Sequence, residues 1–165
     1  MRTRALSILL LTLPACSGLA DLKRGDLTVS PAVILSAGHS SDPALDEPLN
    51  RILETRILNG FTSIDDLRTI QAIRAQAERR SESAIPLLEQ LIFDPVGEVQ
   101  IQALAALEET ASTGSLPMVF RAALGATRPT TREQAYHTFS VLSGVQVNFL
   151  DEAKLRQVLE QTPQG

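Results

Sequence analysis

Two segments of the chain repeat each other at a fixed spacing, and that recurrence restricts the available folds more than any single residue does. Ala84-Ile85-Pro86-Leu87-Leu88 opens one apolar stretch and Ser115-Leu116-Pro117-Met118-Val119 opens another, with the prolines 31 positions apart. Ala103 and Leu107 recur as Ala135 and Phe139 at a shift of 32. A period of this size, with apolar residues at helical spacing inside it, predicts stacked helical hairpins, none of which can bury its apolar face alone. Composition points the same way. The chain is 44% hydrophobic but only 4% aromatic and lacks tryptophan, so its core must be Leu, Ile, Val and Ala, which suits close-packed helices better than strands. With 165 residues, there is material for one domain.

The helices can be placed from their stripes and stop signals. Ser30-Pro31 followed by Ala32 to Leu35 and Gly38 predicts one short helix, with serine as N-cap and glycine as stop. The rest of residues 16–45 reads as a tether from its Gly, Ser, Asp and Pro content. From Asp46, a predicted N-cap, Leu49, Ile52, Leu53 and Ile57 form a helical stripe that Asn59-Gly60 ends. Ser63 and Asp66 form a predicted capping box for a helix carrying Leu67, Ile70, Ile73 and Ala77. Ile85, Leu88, Leu91 and Ile92 line the next helix, which Asp94-Pro95 breaks, and Glu98 starts another with Val99, Ala103, Ala106 and Leu107. Leu116, Val119, Ala123 and Leu124 follow, closed by Gly125, and Thr130 with Glu133 is a second predicted capping box, opening Ala135, Phe139 and Leu142. Val145, Val147 and Phe149 alternate with polar residues as an extended link. Asp151 begins a last helix, with Leu155, Val158 and Leu159 inward and Lys154, Arg156, Gln157 and Glu160 outward.

Residues 83–109, with the Ile85-Pro86 opening, the Asp94-Pro95 turn, Val99 and the Ala103 to Leu107 core, resemble one HEAT-type repeat of the short bacterial form. Gln100 stands where the family commonly has arginine, and Glu108 where it often has glycine. Residues 115–142 match more loosely, and residues 46–77 read as a divergent first repeat, with Ala72-Ile73 falling 31 before Ala103-Leu104. The resemblance implies an all-α, right-handed α-solenoid of about three hairpins over residues 46–161, closed by the last helix as a C-terminal cap, with 162–165 as a tail.

The N-terminus carries an address. Arg2 and Arg4 precede an apolar run from Ala5 to Leu13 that is too short to span a bilayer, and small residues follow. Leu13-Pro14-Ala15-Cys16 resembles a bacterial lipobox, with the chain's only cysteine where acylation requires it. The resemblance implies a signal peptide over residues 1–15, lipidation at Cys16 and, with Ser17 next, an outer-membrane lipoprotein facing the periplasm. Secretion with cleavage after Ala20, or a retained apolar anchor, are the alternatives. Cleavage before Cys16 would take Lys+Arg from 15 to 13 against 19 Asp+Glu, a net charge of about −6. So acidic a product argues against nucleic acid as a partner and leaves membrane attachment to acyl chains.

The chain offers little chemistry. His39 and His137 stand apart from each other and from the cysteine, short of the three or four ligands zinc needs. His39-Ser40-Ser41-Asp42 holds triad residue types in an order that cannot supply triad geometry. Asp65-Asp66 and Glu108-Glu109 sit at a helix start and a helix end and read as solvated. The expectation is a non-enzyme without cofactor or metal: a protein–protein interaction module of the cell envelope whose partner is unnamed. Gln71, Arg74, Gln100, Gln102, Arg132 and Gln134 are its candidate partner-binding residues on the second helices. The HEAT resemblance also implies an alternative, a lyase or isomerase acting on a bound chromophore, since some HEAT-type proteins attach bilins. A purely structural envelope lipoprotein is a third reading.

Overall fold

The computed structural model describes residues 13–60 and 65–162, with side chains from Ser17 onward. Every regular element among them is helical and none is a strand. The α-helices are α1 (Leu13–Lys23), α2 (Pro31–Gly38), α3 (Asp46–Leu58), α4 (Asp66–Glu78), α5 (Ile85–Leu91), α6 (Gly97–Glu109), α7 (Leu116–Gly125), α8 (Pro129–Ser143) and α9 (Glu152–Gln161). Short 3-10 turns, Pro43–Leu45, Glu82–Ala84 and Thr113–Ser115, lead into α3, α5 and α7.

Packing divides these helices into two layers. The second helices α2, α4, α6 and α8 each lie against the next, while α3 meets α5, and α7 meets α9. Within pairs, α1 packs on α2, α3 on α4, α5 on α6, and α7 on α8. The alanines explain the closeness of the second layer. Ala72-Ile73, Ala103-Leu104 and Ala135-Tyr136 occupy equivalent turns of α4, α6 and α8 and are all buried. The small residue lets neighbouring backbones approach while the large one fills the space between layers.

The 31-residue recurrence is also a recurrence of backbone geometry. Arg80 and Ala111, 31 apart, both adopt a left-handed conformation, with φ of 50° and 51°. At each site the residue after the turn reaches back to close the helix: Ser81 N–H donates to the Gln76 carbonyl at 3.1 Å, and Ser112 N–H to Leu107 at 3.3 Å. The left-handed residues themselves donate to Ala77 and Glu108, each at 2.9 Å. This double bond is a Schellman ending. Gly25 (φ 87°) ends α1 in the same way, through Asp26 to Asp21 and Gly25 to Leu22.

Several sequence expectations need correction here. Residues 17–45 are not a tether: Leu22, Ile34, Ala37 and Leu45 are fully buried, and α1–α2 is a further helical pair stacked on α4. The polar, Gly- and Pro-containing composition of this stretch comes from its caps and turns. Asp46 is not an N-cap but the first residue of α3; Asp42 caps the preceding 3-10 turn, accepting from Ala44 N–H at 3.0 Å. Ser63 lies outside the described residues, and the cap of α4 is Asp65, which accepts from Leu67 N–H at 2.9 Å. Thr130 and Glu133 form no capping box, because Pro129 already occupies the first turn of α8 and Arg128 is the N-cap residue. Ser30 caps α2 and Asp151 caps α9 as their positions imply. The link between α8 and α9 buries Val147, whose N–H donates to Ser140 Oγ at 3.0 Å.

Candidate functional site

Side chains of the second helices form a polar ladder that runs across the layer. Arg74 on α4 donates from Nε to Gln102 Oε1 on α6 at 3.0 Å, and Gln102 donates to Glu98 one turn back at 2.9 Å. From the other side of α6, Gln100 Oε1 accepts from Thr131 Oγ on α8 at 2.9 Å. Lower down, Gln134 Nε2 donates to Glu108 Oε1 at 2.9 Å, with the Thr138 hydroxyl on the same oxygen. Gln100 and Gln102 are two positions apart and so point to different neighbours. The six residues expected to form one exposed surface are therefore split. Arg74 is exposed, Gln71, Gln100, Gln102, Arg132 and Gln134 are half-buried, and all but Gln71 are engaged in the bonds described here. Arg132 donates to the Ala126 carbonyl at 3.0 Å, within its own hairpin.

Around Arg74 a groove of about 200 Å3 opens between α4 and α6. Its floor is Ile73, Ala77, Ala105 and Ala106, and its rim carries Arg74, Gln102, Glu78 and Glu109. Both signs of charge face the groove over an apolar floor, a combination suited to a polypeptide surface. His137 is exposed, 3.6 Å from Glu108 through Nε2, and His39 Nδ1 lies 2.9 Å from Glu78 Oε2. No cluster of three His, Cys, Asp or Glu able to hold a metal occurs among the described residues.

Two arginines missed at the sequence level hold the framework of the groove. Arg56, 2% exposed, binds both oxygens of fully buried Asp94, Nε to Oδ2 at 2.9 Å and Nη2 to Oδ1 at 3.0 Å, and reaches Asp66 through Nη1 at 2.8 Å. The hydrogen bond to Asp94 is the main cause of the raised pKa of Arg56, with burial opposing it. Arg56 thus ties α3 to the start of α4 and to the α5–α6 turn. Arg79 does the same for α2: it bonds Asp46 Oδ1 at 2.6 Å and the carbonyls of Ala37, Ser40 and Asp42. Asp42 in turn has its pKa lowered, first by the hydrogen bond from Lys23 and then by Ala44 N–H. Tyr136, packed edge-on against Phe149 at 5.4 Å, has its pKa raised by burial. The acidic pairs are not simply solvated, since Asp65 caps α4, Asp66 pairs with Arg56, and Glu108 anchors α8. An Asp-Pro step marks a helix break in any sequence; nothing in the spacing of Arg56 and Asp94, 38 positions apart, marks them as partners.

The Cys16 backbone lies inside α1; its side chain and residues 1–12 are outside the described part of the chain. No described helix is long and apolar enough to cross a membrane. No family model, curated protein or solved structure matches this chain.

Proposed function

We propose that the chain is a HEAT-type α-solenoid lipoprotein of the bacterial cell envelope that binds a protein partner along its second helices. The observation that carries this reading is the repeated turn: identical Schellman endings at Arg80 and Ala111, each followed by a 3-10 turn and a proline-opened helix, recur at the 31-residue period. Units that stack in this way present extended surfaces for partners. With α1–α2 included, four helical pairs followed by α9 occur among the described residues. The mixed-charge groove between α4 and α6, with Arg74 as its exposed cation, is the docking position of choice.

Attachment through acylated Cys16 is part of the same proposal. Cleavage after Ala20 would remove Gly18 and Leu19, which pack on α2 and on the core, whereas cleavage before Cys16 spares both. With no tether between Cys16 and the packed part of α1, the acyl chains would hold the α1–α2 end at the bilayer surface. Mass spectrometry of the mature protein is expected to find an acylated Cys16 N-terminus; an unmodified Asp21 start overturns this part.

The full chain with a C-terminal affinity tag, captured from solubilised envelope, is expected to recover one protein stoichiometrically. Arg74→Glu, exposed and outside the core, should abolish recovery without changing the fold. Recovery of a coloured small molecule alone would favour the chromophore lyase and overturn the binding-module reading.

A further inference from the structure

A second cleft lies on the first-helix side, between the end of α5 and the C-terminal half of α7, with about 550 Å3 of space. Phe93, Phe120 and Leu124 wall it, Arg121 is its charged lining residue, and none of the lining residues is acidic. Arg121 lies 5.4 Å from the centre of the Phe93 ring, and Arg156 on α9 stands 5.6 Å from that of Phe120.

The cations near this cleft have no carboxylate partner among the described residues, as is also true of Arg68, Arg74 and Lys154, which bond a carbonyl or amide oxygen elsewhere on the molecule. Among the described residues Lys23, Arg24, Arg51, Arg56 and Arg79 each contact a carboxylate. Arg121, Arg128, Arg132 and Arg156 make no such ion pair and rest on a thioether, backbone carbonyls or a ring. The carbonyl that Arg132 holds is that of Ala126 in the cleft wall, and the one that Arg128 holds is Pro95, two residues beyond Phe93. In a chain with a formal net charge of −4, Arg121 is therefore the one charged residue lining an apolar cleft that holds no acid, while Arg128, Arg132 and Arg156 are bonded to or stacked on residues in or beside its wall. Phe93 is 41% exposed there, although it is a large aromatic. Exposed aromatic and arginine side chains side by side are the residue types that dominate protein-binding energy.

We propose that this cleft docks an acidic, apolar-anchored segment of a protein partner: an aromatic or leucine side chain enters between Phe93 and Phe120, and a neighbouring carboxylate pairs with Arg121. The planar guanidinium, already set over a ring, binds a carboxylate through two parallel hydrogen bonds at little further ordering cost. A membrane headgroup fits less well, since such surfaces are met by clusters of several cations rather than one at an apolar pocket. The site is separate from the α4–α6 groove.

The test uses the full chain in nanodiscs of zwitterionic lipid and fluorescein-labelled decapeptides in a Gly/Ser background. One set carries a central Phe or Leu flanked by Asp and Glu. In a second set Lys replaces the acids, and in a third Ser replaces the apolar residue. Anisotropy is expected to show saturable binding of the first set and affinity weaker by about tenfold or more for the other two. Arg121→Glu and the milder Arg121→Gln should each weaken the first set, and Phe93→Ser likewise, with unchanged circular dichroism; Arg74→Glu should leave it intact. Equal binding of the acidic and Lys sets, no binding of the acidic set, or indifference to Arg121→Glu overturns the proposal. Binding lost in Arg74→Glu but kept in Arg121→Glu would also overturn it while leaving the α4–α6 groove as the docking site.

Discussion

Arg80 and Ala111 occupy a backbone region where an L-residue is strained by roughly 1–2 kcal/mol, because Cβ crowds the following carbonyl. Glycine would relieve that strain, and neither side chain is buried. Ala111→Gly is therefore expected to stabilise the fold by about 1 kcal/mol, raising the melting temperature by about 3 °C in thermal denaturation. A fall would mean that the turn is held by something other than its Schellman bonds. The Arg56–Asp94 pair gives the opposite case. Asp94→Ala would take two hydrogen bonds from the buried guanidinium, leaving it the half-exposed Asp66, and would free the Val96 N–H that Asp94 also accepts, at 2.8 Å. A loss of about 3–5 kcal/mol in denaturant titration is expected, and most of it should return when Arg56 is replaced by methionine in the same chain. A loss under 1 kcal/mol would show that the pair is not closed to solvent.

The contact of α2 with α4 depends on the absence of a side chain. A Cβ at Gly38 would lie 2.9 Å from the Ala75 Cα, a backbone atom that cannot turn aside, and closer still to a Glu78 carboxyl oxygen. Gly38→Val is expected to push the helices apart and cost about 1–3 kcal/mol, measured by chemical denaturation. Equal stability would place α2 away from α4. At the level of elements the sequence was largely readable: apolar stripes placed α3 to α9, and Ser30 and Asp151 marked two starts. The Thr130–Glu133 capping box failed for a local reason. A Ser/Thr-x-x-Asp/Glu spacing recurs by chance, and Pro129 can open a helix without a side-chain cap.

For the whole molecule, the N-terminal pair decides whether the stack is closed. α2, with Ile34 and Ala37 buried, covers the end of the stack at α4 and carries α1 with its buried Leu22, as α9 covers α7 with Leu155 and Val158. Each large side chain so buried contributes about 2 kcal/mol. Deleting residues 1–45 is expected to expose that face of α4, giving aggregation in size-exclusion chromatography and a lower, broader thermal transition. A monomer that melts unchanged would return 17–45 to the status of a tether.

The sequence alone determined that the chain is all-helical, where most helices begin and end, and that its units recur every 31 or 32 residues, because helical periodicity and Pro or Gly stops are properties of consecutive residues. Tertiary structure decided three further matters: that residues 17–45 join the core, that Arg56 seeks Asp94, and that Gln100 and Gln102 serve opposite neighbours. Each depends on which helix lies beside which: Gln76 bonds Asn50, 26 positions away on α3, and Arg79 bonds Ala37, 42 positions away on α2. The apolar residues of α1 and α2 could have faced water or a partner. The structure buries α2 on α4, and α1 on α2 and on the 3-10 turn before α3.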